Sequence, residues 1–335
     1  MHPLIVLLLF STIQRSPQQW HDPSPHRVQF IEAEKDVRLE VLDWGGTGRP
    51  VVLLAGLGNS AHVFDDFAPK LTRANHVYGI TRRGYGASSH PDSGYNGQRL
   101  ADDVLSVIET LHLISPVLAG HSIAGEELTA IGAQHSDRIG GLVYLDALAD
   151  PTVDTSEYWA LYQKLPPLRS PPPRPPRGET NPTFQAYLDW QQRANGFTFP
   201  EAELRNVYLS LPDGRMSYLR TPARVNDTIR AQSLKLDYAR IRVPVLALMQ
   251  GSPTVQQRLS EYSLTNEQDR IAAERFWTMD KNYLKKYIGD LKSGVPTAHV
   301  VELPHANHFV FLADQALVLR ELGTFLAGLD SPCHE

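Results

Sequence analysis

The apolar run Val117-Leu118-Ala119 leads into Gly120-His121-Ser122-Ile123-Ala124-Gly125, and a helical pattern follows. A serine on so sharp a strand-to-helix turn needs small residues two positions away on each side, because larger side chains would collide there. Gly120 and Ala124 meet that need. The turn exposes the hydroxyl at a sheet edge. It also puts the Ile123 N–H at a helix N-terminus, where negative charge is stabilised. The chemistry this suits is nucleophilic attack by Ser122. A tight turn with a capping serine would leave the same pattern, so the serine has to be weighed with possible partners.

Two segments supply them. Ala306-Asn307-His308-Phe309 follows the last apolar strand and precedes the last helical stretch. An imidazole there can accept the serine proton. One histidine among 13 is ordinarily a surface residue, and it is the place of His308 in the strand order that sets it apart. Leu54-Ala55-Gly56-Leu57-Gly58-Asn59-Ser60 follows an earlier strand, and its Leu57 N–H can join that of Ile123 as an oxyanion donor. The glycines there also mimic a dinucleotide loop, but the third spaced glycine is missing. His305-x-x-His308 has a metal-like spacing without a carboxylate pair or further histidine close by in sequence.

These residues need a scaffold, and the apolar pattern supplies one. Strands are predicted at Val28 to Ile31, Val37 to Leu42, Val51 to Leu54, Val77 to Ile80, Pro116 to Ala119, Ile139 to Leu145, Val243 to Leu248 and His299 to Leu303. Helices are predicted at Arg99 to Leu111, Ser122 to His135 and Ala313 to Leu329. Continuous apolar strands alternating with helices imply a parallel, doubly wound α/β sheet covered on both faces. Residues 151–240 break the alternation. They hold Trp159, Tyr162, Phe184, Tyr187, Trp190, Phe197, Phe199, Tyr208 and Tyr218, and read as a cap over the sheet's carboxyl edge. Within them Ser170 to Gly178 is a proline-arginine run expected to be extended and solvated. Residues 254–292 read as a second, charged helical insertion, helical over Asn266 to Leu291.

Composition narrows the function classes. The chain has 335 residues, 42% of them hydrophobic and 21% charged, enough for a sizeable core. A net charge of -5 gives no field that favours nucleic acid or an anionic membrane. The single cysteine, Cys333, excludes an internal disulfide and a cysteine zinc site. Leu4 to Phe10 is an apolar run too short to span a bilayer. It resembles the core of a secretory signal, although no Lys or Arg precedes it. Residues 1–22 are therefore expected to be a leader or an irregular start. A secreted or periplasmic location is the expectation, with a cytoplasmic one as the alternative, and no stable membrane insertion.

The chain resembles the α/β-hydrolase superfamily. The residues that carry the likeness are Gly56-Leu57-Gly58, Arg83-Gly84-Tyr85-Gly86-Ala87-Ser88, Gly120-His121-Ser122-Ile123-Ala124-Gly125 and Ala306-Asn307-His308. They come in the family's order and spacing over about residues 28–330. The resemblance implies an α/β-hydrolase core from 23–150 and 241–335, with the 151–240 cap inserted after the sixth strand. It implies acyl transfer to water: Ser122 attacks a carbonyl, His308 takes its proton, and the Leu57 and Ile123 N–H groups hold the oxyanion. No metal, nucleotide or organic cofactor is implied.

Three departures stand out. Ala55 occupies a place where many relatives have histidine. Thr81 precedes the Arg-Gly-x-Gly turn where aspartate is usual. The strand ending at Leu248 continues as Met249-Gln250-Gly251-Ser252-Pro253-Thr254, with none of the aspartates most relatives carry there as the catalytic acid. The role then falls to Asp146, which closes the neighbouring strand. Parallel strands deliver their carboxyl ends to one edge, and some relatives place their acid there. Asp146 could instead cap Ala147 to Asp150. Asp280, Asp269 and Glu261 in the late insertion are rivals, with Asp150 also near.

The expected activity is hydrolysis of carboxylic esters of small or medium apolar molecules. A peptidase of the proline-aminopeptidase kind is the first alternative, with Glu157, Glu179, Glu201 or Glu203 holding the substrate amine unless these are simply solvated. A non-catalytic ligand-binding descendant is the second. The aromatic cap is expected to set substrate choice, through Trp159 or Trp190 among others, unless its aromatics only fill its own core.

Overall fold

A computed structural model of the protein describes residues 20–169, 171, 181–251 and 254–330. The signal-like run Leu4 to Phe10, most of the proline-arginine run, Ser252, Pro253 and Cys333 lie outside them.

β1 (Arg27–Glu34) and β2 (Val37–Gly45) form a hairpin. β3 (Arg49–Leu54), β4 (Asn75–Ile80), α1 (Gly97–Thr110), β5 (Val117–His121), α2 (Ala124–Gln134) and β6 (Gly141–Leu145) follow. After β6 come α3 (Ser156–Tyr162), α4 (Phe184–Asn195), α5 (Glu201–Val207), a small hairpin of β7 (Tyr208–Ser210) and β8 (Met216–Leu219), and α6 (Ala223–Ala231). The sheet resumes at β9 (Val245–Gln250). Next are α7 (Val255–Arg258), α8 (Glu267–Gly294), β10 (His299–Leu303), α9 (Val310–Ala313) and α10 (Gln315–Asp330).

Eight strands make one sheet in the order β1-β2-β4-β3-β5-β6-β9-β10. The first two pairings are antiparallel and the rest parallel. This is the doubly wound, mostly parallel sheet expected from the sequence. Alternate residues of each central strand face opposite layers, as the two-residue period of a strand requires. Val52, Leu54, Leu118, Leu142, Tyr144 and Ala247 pack against α1 and α2. Val51, Leu53, Val117, Ala119, Val143 and Leu246 pack against Phe64, Phe67, α9 and α10.

Element ends shift where local geometry intervenes. The strand expected from Ile139 begins at Gly141, because Ser136–Arg138 form a 3-10 turn that turns the chain into the sheet. The last helix, expected from Ala313, begins at Gln315, because a separate short turn, α9, ends at Asp314 (φ -132°, ψ 52°). α8 runs to Gly294, and the Asn266 side chain caps it by accepting from the Asp269 N–H.

The segments after β6 and after β9 pack on each other. Tyr158, Leu161, Leu165 and Leu168 join Val255, Leu259, Ala273 and Phe276 in one apolar cluster. Val225 and Ile229 of α6 pack with Tyr85, Tyr95 and Leu100, and the Leu57 and Ile123 side chains lie against that group.

The turn after β5 leaves almost no room. A Cβ at Gly125 would lie 1.9 Å from the Ala147 carbonyl oxygen, which is backbone and cannot step aside. In α10, a Cβ at Gly323 would meet nothing within 4 Å. Gly125→Ala is expected to cost about 3 kcal/mol of stability by overpacking. Gly323→Ala is expected to gain about 0.5–1 kcal/mol from helix propensity. Urea denaturation of both variants checks this, and a near-neutral Gly125→Ala would contradict the packing described.

Candidate active site

Ser122 follows β5 with φ at 57°, a left-handed conformation rare outside glycine. Its N–H donates to Leu145 O (3.3 Å), and its carbonyl accepts from Gly125 N (3.0 Å) as α2 begins. Asp146 follows β6 with φ at 50°, and its N–H donates to Leu248 O (2.8 Å). His308 lies in the irregular segment between β10 and α9.

The three side chains predicted from the sequence form one hydrogen-bonded chain. His308 Nδ1 lies 2.7 Å from Asp146 Oδ2, and His308 Nε2 lies 2.8 Å from Ser122 Oγ. A carboxylate only accepts, so Nδ1 carries the proton and Nε2 is free to accept from the hydroxyl. The other Asp146 oxygen accepts from Gln250 N (3.0 Å), which fixes the carboxylate plane. The Asp146 side chain is 10% exposed and that of His308 is 48% exposed, so the imidazole faces solvent while its carboxylate does not.

The rival acids are engaged elsewhere. Asp280 pairs with Arg258 (2.7 Å) and accepts from Tyr158 OH. Asp269 accepts from the Asn266 side chain. Asp150 caps Thr152. Glu261 makes no hydrogen bond to His308 among the described residues.

Ile123 follows Ser122 directly, and Leu57 follows Gly56, which approaches Ser122. Neither backbone N–H donates to a backbone acceptor among the described residues. Gly56 makes the approach possible: a Cβ there would stand 2.7 Å from His121 Nδ1 and 3.2 Å from Ser122 Cβ.

A profile of the alpha/beta hydrolase family matches residues 51–321. The chain belongs to this family. Among curated relatives, an AB hydrolase superfamily protein YisY of Bacillus subtilis is 35% identical over 36% of the chain and 45% of that protein. A 2-(acetamidomethylene)succinate hydrolase of Mesorhizobium japonicum is 27% identical over 36% of the chain and 42% of that enzyme. The chain thus matches less than half the length of these relatives. The crystal structure of E-2-(acetamidomethylene)succinate hydrolase superposes with a TM-score of 0.63 at 19% identity, covering 90% of this chain and 99% of that one. At that identity the likeness is one of fold.

Two residues around the family site, Arg82 and His121, had no assigned role in the sequence, and a third, Glu203, was considered only as an amine-holding or solvated carboxylate. Arg82 is buried. Its guanidinium binds both oxygens of Glu127 on α2 (2.7 and 3.0 Å) and reaches Ala55 O (3.0 Å) and Gly56 O (3.4 Å). Burial works against its charge, but the Glu127 carboxylate outweighs this and raises its pKa. His121 is also buried, and its Nε2–H donates to the His308 carbonyl (2.9 Å). Burial, and then the nearby His308, hold its pKa well below the ordinary value, so it stays neutral.

The third is Glu203. It is fully buried on α5 rather than solvated. Its oxygens accept from Asn59 Nδ2 (2.8 Å), Ser60 N (3.2 Å) and Ser60 Oγ. It therefore ties α5 to the loop that carries Leu57. Thr81, where the family favours aspartate, donates to Glu40 Oε2 (2.7 Å) and accepts from Ala61 N (3.0 Å), bracing the same loop.

Burial pushes the Glu203 carboxyl up to about 7, against the hydrogen bonds from Ser60 and Asn59 that pull it down. A folded-state pKa above the unfolded one means stability that is full below about 4.5 and is lost as pH rises through about 7. Glu203→Gln keeps the shape without the titration. Between pH 5 and pH 8 the wild type is expected to lose about 3 kcal/mol more unfolding free energy than the variant. Parallel urea-denaturation curves at the two pH values would remove this assignment.

Proposed function

We propose that the protein is a serine hydrolase that cleaves carboxylic esters of small or medium apolar molecules through an acyl-enzyme. The observation that carries this reading is the Asp146–His308–Ser122 hydrogen-bonded chain, 2.7 and 2.8 Å, at the carboxyl edge of the sheet. Ser122 Oγ attacks the ester carbonyl as His308 Nε2 takes its proton. Asp146 holds the Nδ1–H tautomer and stabilises the imidazolium. The Leu57 and Ile123 N–H groups receive the oxyanion. The imidazolium then protonates the leaving alcohol, and His308 activates a water that releases the acid and frees Ser122.

The apolar preference rests on Phe199 and Phe309, whose rings lie 4.8 Å apart, with Phe309 5.7 Å from the His308 ring. Phe197 stands 6.4 Å from Phe309 on the same side. The tryptophans singled out in the sequence pack against tyrosines of their own helices. Trp159 packs edge-on against Tyr158 and Tyr162, and Trp190 packs against Tyr187. We read 151–240 as a cap over a core of 23–150 and 241–335, with the α8 segment packed onto it. A secreted or periplasmic location is proposed from the leader pattern of the sequence alone.

The peptidase alternative needs a carboxylate to hold an amine. Glu203 is occupied by Asn59 and Ser60, and Glu201 by Arg205. Glu157 is exposed and Glu179 lies outside the described residues, so it is the two carboxylates of α5 that speak for the esterase reading.

Ser122→Ala and His308→Ala are each expected to leave less than about 1% of wild-type turnover on p-nitrophenyl esters, and the double variant little less than either. Asp146→Asn is expected to fall by orders of magnitude with its melting temperature kept. Proline arylamides should be cleaved slowly or not at all. Faster turnover of the arylamides, or no labelling of Ser122 by a fluorophosphonate, would reverse the proposal.

Phe199→Ala is expected to change the ranking of acyl chain lengths, while Trp159→Ala leaves it as in wild type. Identical rankings in all three proteins would separate the aromatic wall from substrate choice.

A further inference from the structure

Away from the serine, four side chains from two distant segments converge. Asp22 and His26 precede β1. His62 and Asp65 belong to the 3-10 turn that follows the Leu57 loop. Each offers one ligand atom, and the four atoms all lie within 4.8 Å of one another. His26 Nδ1 is 2.8 Å from Asp65 Oδ1, and His62 Nδ1 is 3.1 Å from Asp65 Oδ2 and 3.4 Å from Asp22 Oδ2. A tetrahedral ion with N and O ligands at 2.0–2.1 Å has ligand-to-ligand edges of about 3.3 Å. His26 and His62 meet different oxygens of Asp65, so a set of one atom per residue lies within 4.8 Å and must contract on binding to reach that edge.

The surroundings match a metal site in a second respect. The far nitrogen of His62, Nε2, faces Glu40 Oε1 at 3.5 Å, the outer carboxylate that metal-bound histidines commonly use to fix their tautomer. Trp44 Nε1 donates to Asp65 Oδ1 at 3.1 Å and orients that carboxylate. The side chains of His26, His62 and Asp65 are 2–4% exposed and that of Asp22 is 26% exposed, so the cluster is closed on three sides and open at Asp22. Three carboxylates face two imidazoles here. A divalent cation in place of two ring protons supplies the same positive charge against these buried carboxylates.

We propose that Asp22, His26, His62 and Asp65 bind a divalent transition-metal ion of the zinc class. The ion clips the segment before β1 to the turn behind the Leu57 loop. His62 ligates through Nδ1 and donates Nε2–H to Glu40. The donor set of two imidazoles and two carboxylates suits zinc and excludes the soft-metal preference of thiolate sites. The site is structural: all four positions are filled by protein, and Ser122 chemistry does not pass through it. Without a metal, the same groups would persist only as imidazolium–carboxylate pairs, and the experiment separates the two cases.

The full chain, without a histidine tag, is stripped with EDTA and titrated with zinc chloride by calorimetry. Cobalt(II) serves as an optical probe of tetrahedral coordination. One ion per chain is expected, with the intense visible bands of tetrahedral cobalt and a melting temperature several degrees higher with zinc than without. Asp22→Asn sits at the rim, and its metal-free form should melt near the metal-free wild type, whereas His26→Gln removes a buried ring and is compared by zinc affinity and by its own melting temperature with and without zinc. Both are expected to lose about 100-fold or more in zinc affinity and the zinc-dependent rise in melting temperature. Glu40→Gln is expected to lose about 10–100-fold. No stoichiometric uptake by the wild type, or zinc affinities of Asp22→Asn and His26→Gln equal to wild type, overturns the proposal and leaves ion pairs alone. Should His26→Gln fail to fold, the exposed Asp22→Asn still decides.

Discussion

Ser122 and Asp146 both sit in the left-handed region, at φ 57° and 50°, at the carboxyl ends of neighbouring parallel strands. For a residue with a Cβ this conformation costs about 1–2 kcal/mol. The sheet holds it in place. The Ser122 N–H is bound to Leu145 O on β6, and the Asp146 N–H to Leu248 O on β9. Each turn is thus stapled to the end of the next strand. The register that pairs His121 with Leu145 and Leu145 with Leu248 fixes both turns at once. A slip of one residue would exchange the faces of every buried side chain in those strands, His121 included. The relative position of hydroxyl and carboxylate is therefore a property of the core, and the histidine arrives from the segment after β10.

The Leu57 loop has no such sheet to hold it. Its shape comes from buried polar groups that bind its backbone and side chains. Arg82 engages the carbonyls of Ala55 and Gly56 while pairing with Glu127, and Glu203 engages Asn59 and Ser60 from the other side. Buried ion pairs add little net stability, because desolvation offsets their attraction, but losing one partner strands the other. Their value here is geometric. Glu127 lies on the helix that starts beside Ser122, so Arg82 couples the loop directly to the turn bearing the serine.

What the sequence made legible follows from range. The central strands are short, continuous apolar runs between turns, and that pattern is local. Ser122 and His308 could be placed because their elements could be. Asp146 followed from the empty loop after β9 and the parallel alignment of strand ends. Buried charges have no such local mark. Arg82, Glu127 and Glu203 look in sequence like solvated residues, and Glu203 was grouped with Glu157 and Glu201 for that reason. The pairing of α3 with α8 joins segments about a hundred residues apart. Asp22, His26, His62 and Asp65 likewise come from two segments whose spacing matches no ligand motif. The short turn of α9 before Asp314 is not legible in the pattern, which places the last helix at Ala313 to Leu329, close to the observed α10.

The distribution of polar groups bears on how selective such a site can be. A pocket that rejects close analogues strongly does so with buried donors and acceptors aimed at the substrate. An apolar wall discriminates by only about 1–3 kcal/mol per methylene. Most of the buried polar groups around Ser122 are already engaged: Arg82 with the loop carbonyls, Glu203 with Asn59 and Ser60, and His121 Nε2 with the His308 carbonyl, while His121 Nδ1 has no hydrogen-bond partner among the described residues. Beside the half-exposed imidazole stand phenylalanines: Phe309, with Phe199 and Phe197 behind it. On the proposed reading, discrimination by acyl length is graded and modest. The steep term is positional, because the carbonyl must reach Ser122 Oγ within range of two backbone donors. A substrate's reactivity then depends more on how its carbonyl is presented than on the polar groups it carries beyond it.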